Sequence, residues 1–304
     1  MNLIKITPRG YCKGVVRAIN IAINTKKENP NKNVYILGMI VHNKFVTDAL
    51  NHHNIITLSS KTKTKTELLD EIDKGIVIFT AHGISDKVKQ YAINKGLEYV
   101  DATCLDVLDT RSKVIKHLKN GEKVLYIGKR NHPEAESIVS ISDDITLICD
   151  VNEVKEIKDS EEKYYVTNQT TMSILEIKNI FEEIEKHFKY VEIENEICQA
   201  TFIRQEAVIK NSHNLDLLYV VGDIKSNNSN MLKEIALKNG VAEVYLIGSA
   251  LELKLEQFKN KINIGVTSGA STPTYLTNQV QNTIQKYIDT NIFEIPEIEI
   301  EKVI

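Results

Sequence analysis

Four cysteines in 304 residues are too few for a disulfide framework, and no two of them form the C-x₂-C pair that structural zinc sites favour. No apolar run approaches the roughly 18 residues of a membrane helix, and the opening MNLIKITPRGYCKG has no signal-peptide apolar stretch. We therefore expect a cytoplasmic protein with no membrane partner. Lys and Arg number 38 against 41 Asp and Glu, so there is no charge excess of the kind that marks a nucleic-acid partner. Neither GxxxxGK[ST] nor GxGxxG occurs, which argues against a nucleotide and against a built-in flavin or nicotinamide. No Gly/Ser/Pro-rich linker interrupts the chain. With 42% hydrophobic and 26% charged residues, what remains is an ordinary globular composition.

Short β-branched runs alternate with helical patterns. Val34–Leu37, Ile76–Phe79, Val124–Ile127, Ile145–Ile148, Tyr164–Val166, Leu217–Val221, Val244–Ile247 and Ile262–Val266 read as strands. Val15–Asn24, Val107–Leu118, Ile174–Phe188 and Ala200–Ile209 read as helices. This alternation predicts parallel α/β sheets. Three strands end alike, in VYILGMIVHN, VLYIGKRNHP and LYVVGDIKSNN. Their glycines, Gly38, Gly128 and Gly222, lie about 90 residues apart. Four residues beyond each glycine stand His42, His132 and Ser226, and about 25 residues before each stands a cysteine: Cys12, Cys104 and Cys198. A second kind of strand end, VIFTAHGIS, YYVTNQTTMS and NIGVTSGAST, recurs once per repeat in the same order. The expected architecture is three similar small α/β domains with parallel-type sheets, arranged with pseudo-threefold symmetry around a central cluster. The units would be 13–103, 104–197 and 198–286, with 1–12 packing on the third and 287–304 forming a C-terminal tail.

In parallel sheets, ligands bind outside the carboxyl ends of the strands. If the three units face one another, Cys12, Cys104 and Cys198 converge there. Cys149 is out of phase, inside ITLICD, and is expected in the core. Three thiolates without a fourth suit an iron–sulfur cluster with one open iron, and zinc held by Cys₃His remains the alternative. His42, His82, His132, Thr170, Ser226, Asn228 and Ser271 supply imidazole, hydroxyl and amide groups that can hold a diphosphate without a basic cluster. Each of them is equally at home as a turn or helix-cap residue. Glu134, two residues after His132, can act as a general acid if burial keeps it protonated, and is otherwise a solvated first-turn carboxylate.

The segments PRGYCKGVVRAI, VHNKFV, TAHGIS, DATC, HPE, NQTTMS, ICQAT, RQEAV, SNNSN and GVTSGAS, in this order, resemble those of the 4-hydroxy-3-methylbut-2-enyl diphosphate reductase family. The resemblance runs from residue 8 to residue 273. It implies that Cys12, Cys104 and Cys198 hold a [4Fe–4S] cluster whose open iron takes the substrate hydroxyl. It implies diphosphate binding by His42, His82, His132, Ser226, Asn228 and Ser271, proton delivery by Glu134, and a relay oriented by Thr170. The implied reaction, the last step of the methylerythritol phosphate isoprenoid pathway, consumes two electrons and two protons and loses water. It gives isopentenyl and dimethylallyl diphosphate. A ferredoxin or flavodoxin would be the electron donor, and a monomer is expected.

Departures from the family pattern are Leu105 for the usual Pro, Asn131 for the Gly before HPE, Ser137 at the end of HPEAES, and Asn227 in the SSN position. Asn tolerates positive φ better than most residues, so the turn at Asn131 is expected to survive. The competing functions are a non-redox hydro-lyase that uses the same open-site cluster as a Lewis acid, a non-catalytic iron–sulfur sensor, and a structural zinc protein.

Overall fold

A computed structural model describes residues 1–158 and 161–304. Its strands are β1 (Asn2–Lys5), β2 (Val34–Leu37), β3 (Ile55–Leu58), β4 (Ile76–Phe79), β5 (Glu98–Asp101), β6 (Lys123–Ile127), β7 (Ile145–Ile148), β8 (Tyr164–Asn168), β9 (Val191–Ile193), β10 (Leu217–Val221), β11 (Glu243–Ile247) and β12 (Asn263–Ser268). The helices are α1 (Lys13–Glu28), α2 (Lys44–His52), α3 (Lys65–Asp70), α4 (Asp86–Asn94), α5 (Leu105–Lys119), α6 (Pro133–Val139), α7 (Val151–Glu156), α8 (Ile174–His187), α9 (Gln199–Ser212), α10 (Asn227–Lys238) and α11 (Thr274–Thr290).

The strands form three four-stranded sheets, ordered β3-β2-β4-β5, β7-β6-β8-β9 and β1-β12-β10-β11. All neighbours pair in parallel. Read from its other edge, the last sheet is β11-β10-β12-β1. This is the order of the other two, with the first strand of the chain in the place held elsewhere by β5 and β9. The N-terminus thus completes the third repeat, with Leu3 in register with Ile264 and Ile4 with Gly265. The three α/β units are the same fold, permuted so that one strand comes from the chain start.

The physics of the central strands explains the repeat. β4, β8 and β10 have no exposed position, because helices cover both faces of a parallel sheet. In the second sheet, Leu125, Ile127, Val166 and Ile148 pack with Ile177, Ile180 and Ile184 of α8 on one face. Val124, Tyr126 and Tyr165 pack with Val114 of α5 and Ile138 of α6 on the other. Each sheet also has a switch point: in the first two the chain leaves the first central strand toward one edge and the second toward the other, and in the third β1 fills the edge beside β12. The crevices lie at the carboxyl ends of β2/β4, β6/β8 and β10/β12.

Contacts group the described chain into two compact units, one of 1–16, 41–53 and 199–304, the other of 17–40 and 54–198. The first holds one sheet and the second holds two. Helix α2, although it connects β2 to β3, belongs to the first unit, where Val46, Ala49 and Leu50 are buried. Among the described residues no helix is long and apolar enough to cross a membrane.

Close packing fixes one glycine of the third sheet. A Cβ on Gly269 would stand 2.1 Å from the Ser229 hydroxyl and 3.3 Å from the Ser229 Cβ. That hydroxyl is buried and has no hydrogen-bond partner. Gly269→Ala is therefore expected to destabilise the fold by about 1–3 kcal/mol through overpacking. Adding Ser229→Ala should restore most of the loss in thermal denaturation. A double variant as unstable as Gly269→Ala would show that the clash lies elsewhere.

Candidate functional site

The polar strand ends gather as two groups, one in each compact unit. In each, a backbone bond docks cysteine onto the second central strand. The Cys12 N–H donates to the Ala270 carbonyl at 3.0 Å, just past β12. The Cys104 N–H donates to Ala81 O at 2.9 Å, just past β4, and the Cys198 N–H to Thr170 O at 3.0 Å, just past β8. The same bond recurs in all three repeats. Each cysteine also immediately precedes a helix, α1, α5 or α9. The partial positive charge of a helix N-terminus suits an anionic sulfur. All three cysteines are partly exposed.

In the unit that contains the third sheet, Ser226 caps α10, its hydroxyl accepting from Ser229 N at 3.3 Å. Asn228 Oδ1 accepts from Ala270 N at 3.1 Å, and its Nδ2 donates to Thr201 at 3.1 Å. The Ser271 hydroxyl donates to the His42 carbonyl at 3.2 Å and lies 3.5 Å from the Ser226 hydroxyl. His42, Ser226, Asn228 and Ser271 thus stand around the docking point of Cys12. Burial lowers the pKa of His42, partly offset by the charge of Asp223. Asn43, directly after His42, caps α2 by accepting from Phe45 N and Val46 N. Asp223 accepts from Lys44 N at 2.9 Å, so it holds the start of that helix.

In the other unit, the His82 and His132 rings meet edge to face with centroids 5.6 Å apart. His132 caps α6, its Nδ1 accepting from Glu134 N at 3.2 Å. Glu134, 2% exposed, points inward. Its carboxylate accepts from Thr170 N at 2.7 Å and from the Thr170 hydroxyl at 3.0 Å. Thr170 therefore grips the acid with its N–H and hydroxyl and holds Cys198 with its carbonyl. Burial raises the Glu134 pKa to about 7, while the Thr170 donors and Tyr126 pull it down.

Every site residue expected from sequence lies at a switch-point strand end or at the helix start beside it. Two features differ from expectation. Cys149 is not a core residue: it lies partly exposed just past edge strand β7, its N–H donating to Glu153 at 2.7 Å. The sequence reading also missed Tyr126, a fully buried β6 residue whose hydroxyl lies 3.4 Å from Glu134 Oε1. Nothing in VLYIG separates a strand tyrosine from one that faces a carboxyl. Tyr126→Phe removes a donor to the charged form of Glu134. The alkaline limb of the rate profile should then move up by less than about one pH unit, since a pH unit corresponds to about 1.4 kcal/mol and this bond is long. A limb that moves down would contradict that role.

Three of the four departures from the family pattern fit their local structure. Asn131 has φ +62°, the left-handed turn expected of it. Leu105 is the first residue of α5, the helix position where proline is most at home. The Ser137 hydroxyl donates to Glu134 O at 2.7 Å. One further set of donors, His117, Glu122 and Glu192, lies within 4.8 Å of one another. Glu122 directly precedes β6, at the amino end of the second sheet, away from the strand ends described above.

These features define the class as an α/β enzyme of three like sheets, with thiol, imidazole and carboxyl groups at the ligand-facing strand ends. The chain belongs to the LytB protein family, whose model matches residues 3–285. It is 46% identical over 301 residues to a 4-hydroxy-3-methylbut-2-enyl diphosphate reductase of Macrococcus caseolyticus, covering 98% of this chain and 93% of that protein. It is likewise 46% identical over 296 residues to the Bacillus cereus (strain AH187) protein of the same name, covering 96% and 92%. Among solved structures it is similar to the E-1-hydroxy-2-methyl-but-2-enyl-4-diphosphate reductase of Plasmodium falciparum, with TM-score 0.86 and 27% identity over 99% of this chain and 95% of that one. It also matches an (E)-4-hydroxy-3-methyl-but-2-enyl diphosphate reductase described as the terminal enzyme of the non-mevalonate pathway, with TM-score 0.63 and 28% identity over 94% and 100%.

Proposed function

We propose that this enzyme reductively dehydroxylates 4-hydroxy-3-methylbut-2-enyl diphosphate to isopentenyl and dimethylallyl diphosphate. Two electrons and two protons enter and water leaves, in the cytoplasm, with a ferredoxin or flavodoxin as donor. The observation that carries this reading is the docking bond common to Cys12, Cys104 and Cys198, one thiol per repeat beside anion donors. A three-thiol set fits a [4Fe–4S] cluster with one open iron better than it fits zinc, because the thiols come singly from distant segments. When bound, the cluster supplies electrons one at a time and a Lewis-acidic iron for the substrate hydroxyl.

The protein's own residues do the rest. His42, His82, His132, Ser226, Asn228 and Ser271 would hold the diphosphate. Helix α10 begins directly beyond Ser226 and adds N-terminal backbone donors. Asn228 has one Nδ2 hydrogen engaged by Thr201 and a second to offer. Glu134 keeps a proton near neutral pH and delivers it to the leaving hydroxyl, directly or through the diphosphate. Thr170 fixes the carboxyl's direction, so the proton stays where the departing oxygen needs it.

Anaerobic protein should contain iron and sulfide, and should convert the hydroxylated diphosphate only when a reductant is supplied. Turnover without reductant would favour the hydro-lyase. Zinc in place of iron would remove the redox reading altogether.

A further inference from the structure

The C-terminal tail of this chain is anchored at more points than an incidental terminus needs. Alternating apolar and acidic residues in FEIPEIEIEKVI allow an edge strand, but the segment is irregular coil ending in a 3₁₀ turn at Ile300–Lys302. Phe293 packs against Phe258 and Tyr287, with ring centroids 5.6 and 6.2 Å away. Gln279 of α11 donates to Glu297 O at 2.8 Å, and Glu299 N donates to the Tyr275 hydroxyl at 3.1 Å. Beyond Glu294 and Pro296 the tail borders an open cleft along α11, then closes again on Val303, which is 2% exposed. There the Tyr11 hydroxyl donates to Val303 O at 2.9 Å.

Tyr11 immediately precedes Cys12. The backbone on either side is already tied to the third sheet's unit. Gly10 N donates to the Ser268 hydroxyl at 2.7 Å, Arg204 Nη2 donates to Gly10 O at 2.8 Å, and Cys12 N donates to Ala270 O. Gly10 itself, at φ +78°, sits where a Cβ would meet the Thr274 hydroxyl at 2.2 Å, so the loop cannot shift toward α11. Between these two tied residues, the Tyr11 side chain has its polar end held at the last turn of the chain. Without the tail, the half-buried Tyr11 phenol would lose its acceptor.

We propose that residues 291–304 form a clasp that holds the Cys12 loop in its ligand-ready position, with Tyr11 as the positioning residue. The clasp's purpose, keeping a cluster thiol in place, rests on the function proposed above. The coupling of tail to thiol does not.

The test uses the full chain, Tyr11→Phe, and a chain ending at Pro296. Anaerobic protein is followed for iron release to a chelator. The same protein, stripped of iron, is then alkylated with iodoacetamide, and Cys12 and Cys149 are read separately by mass spectrometry. Loss of this one part-buried hydrogen bond should speed Cys12 alkylation about five-fold in Tyr11→Phe, and truncation should speed it more. Cys149 should react as in the parent chain. Iron release should quicken in the same order. Glu301→Gln, which removes only an exposed pairing with His52, should leave the Cys12 rate unchanged. Parent-like Cys12 rates in whichever variants fold, or an equal rise at Cys149, would overturn the clasp. Parent protein without iron would instead refute the cluster, and the alkylation rates would still decide the clasp.

Discussion

Cys12→Ser, Cys104→Ser and Cys198→Ser should each strip the enzyme of iron and lower turnover by more than about a hundred-fold, since even partners one step removed from a metal are worth 10- to 100-fold. The loss can be assigned to sulfur because the backbone at each position is fixed independently of the side chain. The N–H of each cysteine is bound to Ala270, Ala81 or Thr170 whether a thiol or a hydroxyl follows it. Serine is close in size, so metal-free protein should keep its melting behaviour to within about 0.5 kcal/mol. A hydroxyl stays protonated at neutral pH and binds iron poorly, whereas a thiolate beside a helix N-terminus is a ready ligand. Cys149→Ser is the internal control: it sits past an edge strand, and should leave iron content and rate unchanged. If any of the three replacements retained full iron and full rate, the ligand assignment would fail for that residue. If Cys149→Ser lost iron, the phase of the repeat would have been misread.

That phase was legible because it is written in residues whose type is forced. Gly38, Gly128 and Gly222 end the first central strands, and in each the N–H donates to the end of the neighbouring edge strand: to Leu58, Ile148 and Ile247 at 2.7, 3.0 and 2.8 Å. The central strands β4 and β10 are apolar throughout, and β6 and β8 over most of their length, because both faces are covered, so they stand out from the sequence. The edges are where the reading thins. β1 has both ends exposed and β9 is three residues long, so neither produces a run that separates it from a loop. The departure of α2 from its chain-order neighbours depends on which distant surface takes Val46 and Leu50, and periodicity carries no address. The tail, which Pro296 would allow as an edge strand, is instead irregular, with Phe293 drawn into an aromatic cluster with Phe258 and Tyr287. Glu134 was readable as a candidate acid but not as a buried one. Its burial comes from long-range contacts, since Thr170, 36 residues away, closes over the carboxyl.

That enclosure makes Glu134→Gln the sharpest test of the proton route. Turnover should fall by about 10²- to 10⁴-fold, the range for losing a positioned general acid. The fold should barely notice. The amide oxygen can still accept from Thr170 N, and the amide nitrogen can donate to the Thr170 hydroxyl in place of the bond the carboxylate accepts. The pH dependence gives an independent reading. The carboxyl titrates near 7 because burial disfavours its charge, so the parent enzyme should hold its rate below that pH. Above it, the rate should fall about ten-fold per unit as the acid loses its proton. The variant, with nothing to titrate there, should lose this limb and keep a low, flat rate. The sign for stability runs the same way. Because the folded value lies above the unfolded 4.5, the folded state binds more protons between the two, and stability falls as pH rises from about 4.5 through about 7. In Glu134→Gln that decline should be reduced, which can be followed by the melting midpoint of iron-free protein across the range. A variant with parent-like turnover, or a parent whose alkaline limb persists after the substitution, would move the proton's source to another group. A slow variant with the limb gone would leave Glu134 as the group that carries it.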